Sequence, residues 1–284
     1  MPGCRTINDV LGAGSGVRIN RDSPQATGLV SFRTAAVKPS MYRDTIRPAT
    51  YYATAAGSIS QSVDSLGPAL YMDGASGSYL DCGIDPALNF TSGNFTIASY
   101  LKIVSIADGD VFWSRGTYGD VGFYFQVYAH KFTFASLTDL TQGTLDPLGL
   151  TGWHKFIVVK NGTAISFYLD GVLDPNTTSG SHSPASNTST SLKLGSYSDG
   201  TLAPEMKWFE FAAWNRALSA PEIWSFYDPR TRYDLYWAPR RSTPKKAAAA
   251  AGGFSTALFR ANAGLGAVGG GPFARANAGV GAVA

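Results

Sequence analysis

Side chains that do covalent chemistry or hold metals are scarce in this chain. Its 284 residues include two cysteines and three histidines. Cys4 and Cys82 are too few for a disulfide framework; they read as unpaired thiols, with a bridge between them as the alternative, and Cys82 sits in a strand pattern as a small core residue. His130, His154 and His182 are scattered, and none has a metal-ligand or triad neighbour in sequence, although triads can assemble from distant positions. No apolar run approaches ~18 residues, so no spanning helix is expected. The N-terminus, MPGCRTINDVLGAGSG, lacks an apolar core after its first charge, which speaks against export by a signal peptide. Charged residues make up only 15% of the chain, too few for a coiled coil or a long solvated helix.

What is present is aromatic and turn-forming: 13% aromatic residues and 32 glycines, a composition that suits many short strands joined by tight turns. From Leu70 the strand signals come at regular intervals. They cover Leu70 to Asp73, Tyr79 to Cys82, Phe95 to Ile103, Val111 to Ser114, Val121 to Val127, Phe132 to Ala135, Trp153 to Lys160, Ala164 to Leu169, Leu192 to Leu194 and Trp208 to Trp214. Asn161-Gly162 and Asp170-Gly171 are primed-turn dipeptides that predict hairpins. In the last strand Phe209, Phe211 and Ala213 alternate with Trp208, Glu210 and Trp214, predicting one inward set on a half-buried strand. Ser219 then opens a helix: it pairs with Glu222 at capping-box spacing, and Leu218 with Ile223 can close a hydrophobic staple. About ten strands and one helix predict an all-β sandwich or jelly roll.

The net charge of +3 conceals a segregation. Residues 1–60 carry seven Lys/Arg against three Asp/Glu, residues 61–237 ten against seventeen, and residues 238–284 six against none. An acidic body between two basic segments favours docking on protein over nucleic acid, because the segments lack clustered aromatics and Lys/Arg runs longer than two. Residues 1–65 read as an extended arm, with Leu29, Val30 and Phe32 as a short strand joining the body; Gly12 to Gly16 reads as linker, since a P-loop's lysine and flanking strand are missing. Residues 66–237 form the body, in which 174–190 is a polar loop. Residues 238–284 form a basic linker and a Gly/Ala-rich docking tail, in which Arg260-to-Val268 recurs as Arg275-to-Val283. Arg5, Arg18, Arg21, Arg240, Arg241, Lys245, Lys246, Phe259, Arg260, Phe273 and Arg275 are the candidate docking residues of the arms.

Six motifs in order carry a family resemblance. Met72-Asp73-Gly74 with Tyr79 to Gly83 is similar to an opening "F-D-G … Y-V-x-x-G" pair, and Phe95 to Lys102 to "F-T-I-S-x-W-V-K", with Tyr100 where Trp is usual. Gly152-Trp153-His154, Phe167 to Gly171, Leu194-Gly195 and Trp214 to Ser219 resemble the central and closing signatures. Together residues 66–227 resemble a laminin-G-like domain of the concanavalin-A-like jelly rolls. Gly28 to Phe32 and Leu235 to Arg240 further resemble the flanks of such domains in bacteriophage structural proteins.

The resemblance implies a non-enzymatic virion protein, assembled in the host cytoplasm, acting as capsid decoration or as a head or tail component. Its arms would dock on other virion proteins or on copies of itself, a homo-oligomer such as a trimer. The alternative it admits is a carbohydrate-binding module or adhesin for host-surface glycans, and beyond that a glycoside hydrolase. Relatives that hydrolyse glycosidic bonds use paired carboxylates. Here Glu222 is accounted for by its cap, and Glu210 has no acidic residue two or four positions away. The family's usual cofactor is calcium, for which Asp108, Asp110, Asp120 and Asp199 are candidates, although no dense acidic loop is present. Tyr118 with Asp120, and Tyr197 with Asp199, lie at turns where aromatic faces could stack on sugar. His154 is implied as a hydrogen-bonded scaffold residue. Sequons at Asn89, Asn94, Asn161, Asn176 and Asn187 would bear glycans only on an exported eukaryotic chain.

Overall fold

The computed structural model describes residues 18–35, 44–46, 53–65, 67–90, 93–119, 122–182 and 189–236. The chain divides into two units, Met1–Pro239 and Arg240–Ala284, and the second lies outside the described residues. Among the described residues of the first, fifteen strands run in chain order: β1 Leu29–Thr34, β2 Thr54–Ala56, β3 Ile59–Asp64, β4 Gly67–Asp73, β5 Tyr79–Asp81, β6 Phe95–Ser105, β7 Val111–Arg115, β8 Phe123–Tyr128, β9 Lys131–Ser136, β10 Asp139–Gln142, β11 Trp153–Asn161, β12 Ala164–Leu169, β13 Val172–Asp174, β14 Lys193–Leu194 and β15 Glu205–Trp214. One short helix, α1, covers Ala220–Ser225. Strands β2 and β3 fall where the sequence shows little periodicity, because both are short edge strands with much of their surface in solvent.

The strands form two antiparallel sheets. The first has the order β13-β12-β11-β6-β15-β4-β3, with β1 as its eighth strand; the second has the order β10-β9-β8-β7-β14-β5-β2. Strand β15 is the hinge of this layout. Its residues 205–208 pair with β4 and its residues 210–214 with β1 on the same flank, while β6 runs along the other. The main core between the sheets is aromatic, with Phe95, Phe112, Trp113, Phe123, Phe125, Phe134 and Phe156 packed against Trp208 and Phe211.

Strand β15 departs from the half-buried pattern expected of it. A bulge between Trp208 and Glu210 shifts the register against β6 and resets the alternation. Met206, Trp208, Phe211 and Ala213 face the main core, whereas Phe209, Ala212 and Trp214 face a second one. That second core covers the outer face of the first sheet. Leu218, Ile223, Phe226, Leu235 and Tyr236 fold back onto Phe32, Ala98, Ile157 and Val159, so β15 is buried on both faces. Leu218 and Ile223, the expected staple, both join it.

Turn chemistry explains a one-residue slip. The β11–β12 hairpin pairs Asn161 with Ala164, so its loop is Gly162-Thr163 rather than Asn161-Gly162. Gly162 has φ +60° while Thr163 stays at negative φ, the pattern of a type II′ turn with glycine first. Asp170 and Gly171, both at positive φ, form the two-residue loop between Leu169 and Val172 as expected.

The two ends of the described unit meet on the outer face of the first sheet. Ile19 makes a β-bridge with Tyr236, and Asn20 donates its N–H to Leu235 O at 2.9 Å and its Nδ2 to Asp234 O at 3.1 Å.

Candidate functional site

Alternation along β8 sends Phe123 and Phe125 inward and leaves Tyr124 on the outer face of the second sheet, where it joins Val111, Ala135, Leu140 and Tyr197. Tyr197 reaches this cluster from the connection after β14. Its ring meets that of Tyr124 edge-on at 5.3 Å, and its hydroxyl accepts the N–H of Tyr118 from the β7–β8 loop. That loop is tied in turn to the β9–β10 turn, where Gly119 donates to Leu137 O at 2.9 Å. The structure thus brings Tyr118 and Tyr197 together from loops 79 positions apart. Tyr118 is 57% exposed and Tyr124 buried, giving a tyrosine shelf with one face open. Burial raises the Tyr124 hydroxyl pKa, and Tyr197 beside it adds to the shift, so the Tyr124 ring is held uncharged. An uncharged aromatic face of this kind can stack on the apolar face of a sugar ring.

Among the described residues, each candidate carboxylate is bound to nearby backbone. Asp199 accepts both Thr201 N–H, at 2.9 Å, and Thr201 Oγ1, at 2.6 Å, and these bonds hold its pKa below the usual value; it shapes the turn carrying Tyr197. Asp120 lies outside the described residues. Asp108 accepts His130 N–H at 3.1 Å and Asp110 accepts Ala107 N–H at 2.7 Å. Among the described residues, no group of three His, Cys, Asp or Glu side chains is placed to hold a metal ion.

Two clusters escaped the sequence reading because their members are far apart in the chain. His182, expected in a polar loop, is fully buried. Its Nδ1 lies 2.7 Å from Ser136 Oγ and its Nε2 2.8 Å from Thr141 Oγ1, with the Phe134 ring edge-on at 5.0 Å. Burial pushes its pKa down to about 4. A Ser–His pair of this geometry suggests a nucleophile, but both residues are sealed from solvent and a hydroxyl, not a carboxylate, faces the second nitrogen, so the triad pattern is not met.

The second cluster surrounds Glu210, which faces the second core. Its Oε1 takes Lys155 Nζ at 3.1 Å, and its other oxygen accepts the Tyr236 hydroxyl. Lys155 also lies 5.3 Å from the Tyr100 ring centroid and 5.5 Å from that of Phe226. A carboxylate enclosed in this way cannot meet a glycosidic bond. Glu222 is equally committed, to Arg216 Nη2 at 2.7 Å and to Ser219 N–H at 2.9 Å; the Arg216 guanidinium is the largest influence holding its pKa near 2. Glu205 accepts the Tyr71 hydroxyl at 2.5 Å. His154 is held by Asp170 Oδ2 at 2.8 Å and Thr151 O at 2.9 Å, a fixed scaffold geometry.

Of the candidate docking residues, Arg18 and Arg21 are described. Arg18 flanks the bridge to Tyr236, and Arg21 sits in the turn before Ser23. Arg5, Arg240, Arg241, Lys245, Lys246, Phe259, Arg260, Phe273 and Arg275 lie outside the described residues, as does Cys4. Cys82 is a buried free thiol whose pKa burial pushes up to about 11. A small apolar cavity of about 10 Å³ lies among Phe125, Phe132, Phe156 and Phe167, room for one water at most. No described helix is long and apolar enough to cross a membrane.

Two antiparallel sheets, an aromatic core between them and a loop-borne tyrosine shelf define a lectin-type β-sandwich. Residues 73–224 match the Concanavalin A-like lectin/glucanases superfamily, and the chain belongs to it. No curated protein matches the sequence. Solved structures of similar fold include the binding domain of Paraclostridial Mosquitocidal Protein 1, with a TM-score of 0.57 and 11% identity over 72% of this chain and 53% of that one. Botulinum neurotoxin type C, described as dependent upon interaction with two ganglioside molecules to enter cells, gives 0.55 and 11% over 71% and 51%. The binding domain of botulinum neurotoxin DC, solved in complex with rat synaptotagmin II, gives 0.54 and 10% over 71% and 51%. The chain spans about half the length of these structures.

Proposed function

We propose that the described body is a non-enzymatic carbohydrate-binding module that reads glycans on its tyrosine shelf. The observation that carries this reading is the convergence of Tyr118 and Tyr197, with Tyr118 open to solvent and Tyr197 braced by Tyr124. The family's lectin members and the ganglioside dependence of botulinum neurotoxin type C support it. A glycan array run beside a reducing-sugar assay tests it: binding without turnover is expected, and Tyr118→Ala or Tyr197→Ala should weaken the best ligand about tenfold, the loss of roughly one stacking contact. Sugar release, or binding untouched by both substitutions, would refute it.

A second reading places the module on a bacteriophage particle, held by its arms on neighbouring virion subunits as a homo-oligomer such as a trimer. The bridge between Ile19 and Tyr236 favours it. Both ends of the described unit leave from the outer face of the first sheet, while the shelf lies on the outer face of the second. Attachment and recognition would thus use opposite sides of the sandwich. Truncations lacking 1–17 or 239–284 should fold and bind glycan yet fail to join particles; normal incorporation of both would overturn the docking idea.

A further inference from the structure

The tip of the β11–β12 hairpin carries a chemically reactive pair that a third residue grips. Asn161-Gly162 is the one place in the chain where glycine follows asparagine, and both residues are exposed. A glycine nitrogen has no side chain of its own residue to shield it, so it can attack the asparagine carboxamide in front of it. Strand pairing sets Asn94 beside the pair. Lys160 lies opposite Phe95 in the β11–β6 ladder, so the next position on β11, Asn161, comes level with Asn94. The Asn94 carboxamide holds both reacting groups at once: its Oδ1 accepts the Gly162 N–H at 2.7 Å, and its Nδ2 donates to Asn161 Oδ1 at 3.1 Å.

Deamidation of such a pair consumes one water and releases one ammonia. The Gly162 nitrogen gives its proton to solvent, and its electron pair forms a bond to Asn161 Cγ. The Cγ–Nδ2 bond breaks, and Nδ2 takes up a proton and leaves as ammonia, closing a succinimide. Water then opens the ring. Cleavage at Cγ leaves an aspartyl residue at position 161, whereas cleavage at the main-chain carbonyl leaves an isoaspartyl residue whose backbone runs through Cβ. Nothing is oxidised or reduced. Attack requires the Asn161 carboxamide to swing over the plane of the Gly162 amide and the nitrogen to part with its hydrogen. Each of these steps breaks one bond to Asn94.

We propose that Asn161 is a deamidation site and that Asn94 is the guard that keeps it intact in the folded domain. The consequence of losing the guard reaches into the first sheet. Gly162 O accepts the Lys160 ammonium at 2.6 Å, and Lys160 is 1% exposed. An isoaspartyl link adds a backbone atom ahead of that carbonyl and shifts it away from the buried cation, which is costly to leave unmet. It also breaks the pairing of Asn161 with Ala164 that closes the hairpin.

The test holds the full chain in warm, mildly alkaline buffer and follows each asparagine by peptide mapping, with fragmentation that separates aspartyl from isoaspartyl products. Asn94→Ala should speed the loss of Asn161 about tenfold, the rate equivalent of about 1.4 kcal/mol for two exposed hydrogen bonds, and leave the other asparagines unchanged. Asn94→Ser, too short to reach both groups, serves if that variant does not fold. Gly171→Ala, which strains the far end of β12 without touching Asn94, should leave the rate as it is. Asn161 in the unmodified chain should be lost more slowly when folded than when unfolded in guanidinium, and Tm should fall as isoaspartyl content rises. Equal rates in the folded and unfolded chain would overturn the proposal. So would an Asn94 variant that reacts no faster than the unmodified chain, or an equal acceleration by Gly171→Ala, which would trace the effect to general destabilisation.

Discussion

Acidification should destabilise this protein through His182 before it touches the carboxylates. The imidazole is neutral in the fold, with a pKa near 4, against about 6.5 in the unfolded chain. Between these values the unfolded state binds the proton and the folded state does not, so stability falls as pH drops through this window and levels off below it. Each pKa unit is worth about 1.4 kcal/mol, so the loss is about 2 kcal/mol by pH 5 and about 3 kcal/mol in full. The carboxylates act later: Glu222 and Asp64, both held near pKa 2, contribute stability that is lost only as pH falls from about 4.5 towards 2. Urea unfolding at pH 7, 6, 5 and 4, followed by tryptophan fluorescence, gives the curve, and His182→Gln should flatten it between pH 6.5 and 4. The imidazole C–H resonance of His182 should stay at its neutral position down to about pH 5. An unchanged slope in the variant, or a proton taken up near pH 6.5 in the native protein, would refute the reasoning.

Removing one member of the buried pair, as in Lys155→Met, leaves the Glu210 carboxylate enclosed without its cation and should cost about 3–5 kcal/mol, whereas Lys155→Met with Glu210→Met should recover most of it. Equal urea midpoints for the single and double variants would contradict this. Gly171→Ala should destabilise by about 1–2 kcal/mol, because the residue has φ +85° and its new Cβ would stand 2.8 Å from Trp224 Cε3; a neutral outcome in the same assay would show that the β12–β13 turn yields.

The sheet framework could be read from the chain because each strand carries its own period and each hairpin its own turn residues. Phe95 to Ile103 alternates without interruption, and β6 is the strand it predicts. What escaped the reading depends on partners distant in sequence. The bulge at Trp208–Glu210 is imposed by β6 and leaves no mark on the local pattern. The burial of Glu210 requires Tyr236 and Lys155 to arrive from either side, and the burial of His182 requires β9 and β10 to close over a stretch that reads as polar loop. The tyrosine shelf lies between these cases. Turn signals place Tyr118 and Tyr197 in loops, and only the neighbouring positions of β7 and β14 in the second sheet bring them together.

The bridge between Ile19 and Tyr236 also makes the body a cassette. A domain whose two ends lie side by side can be spliced into a surface loop of another protein without prising that host apart, since the loop it replaces already closes over a similar gap. The same geometry should allow new termini to be opened at an exposed turn such as Gly162-Thr163 once residues 19 and 236 are joined by a short linker. The position of the ends then becomes a choice open to evolution or to an engineer rather than a requirement of the fold.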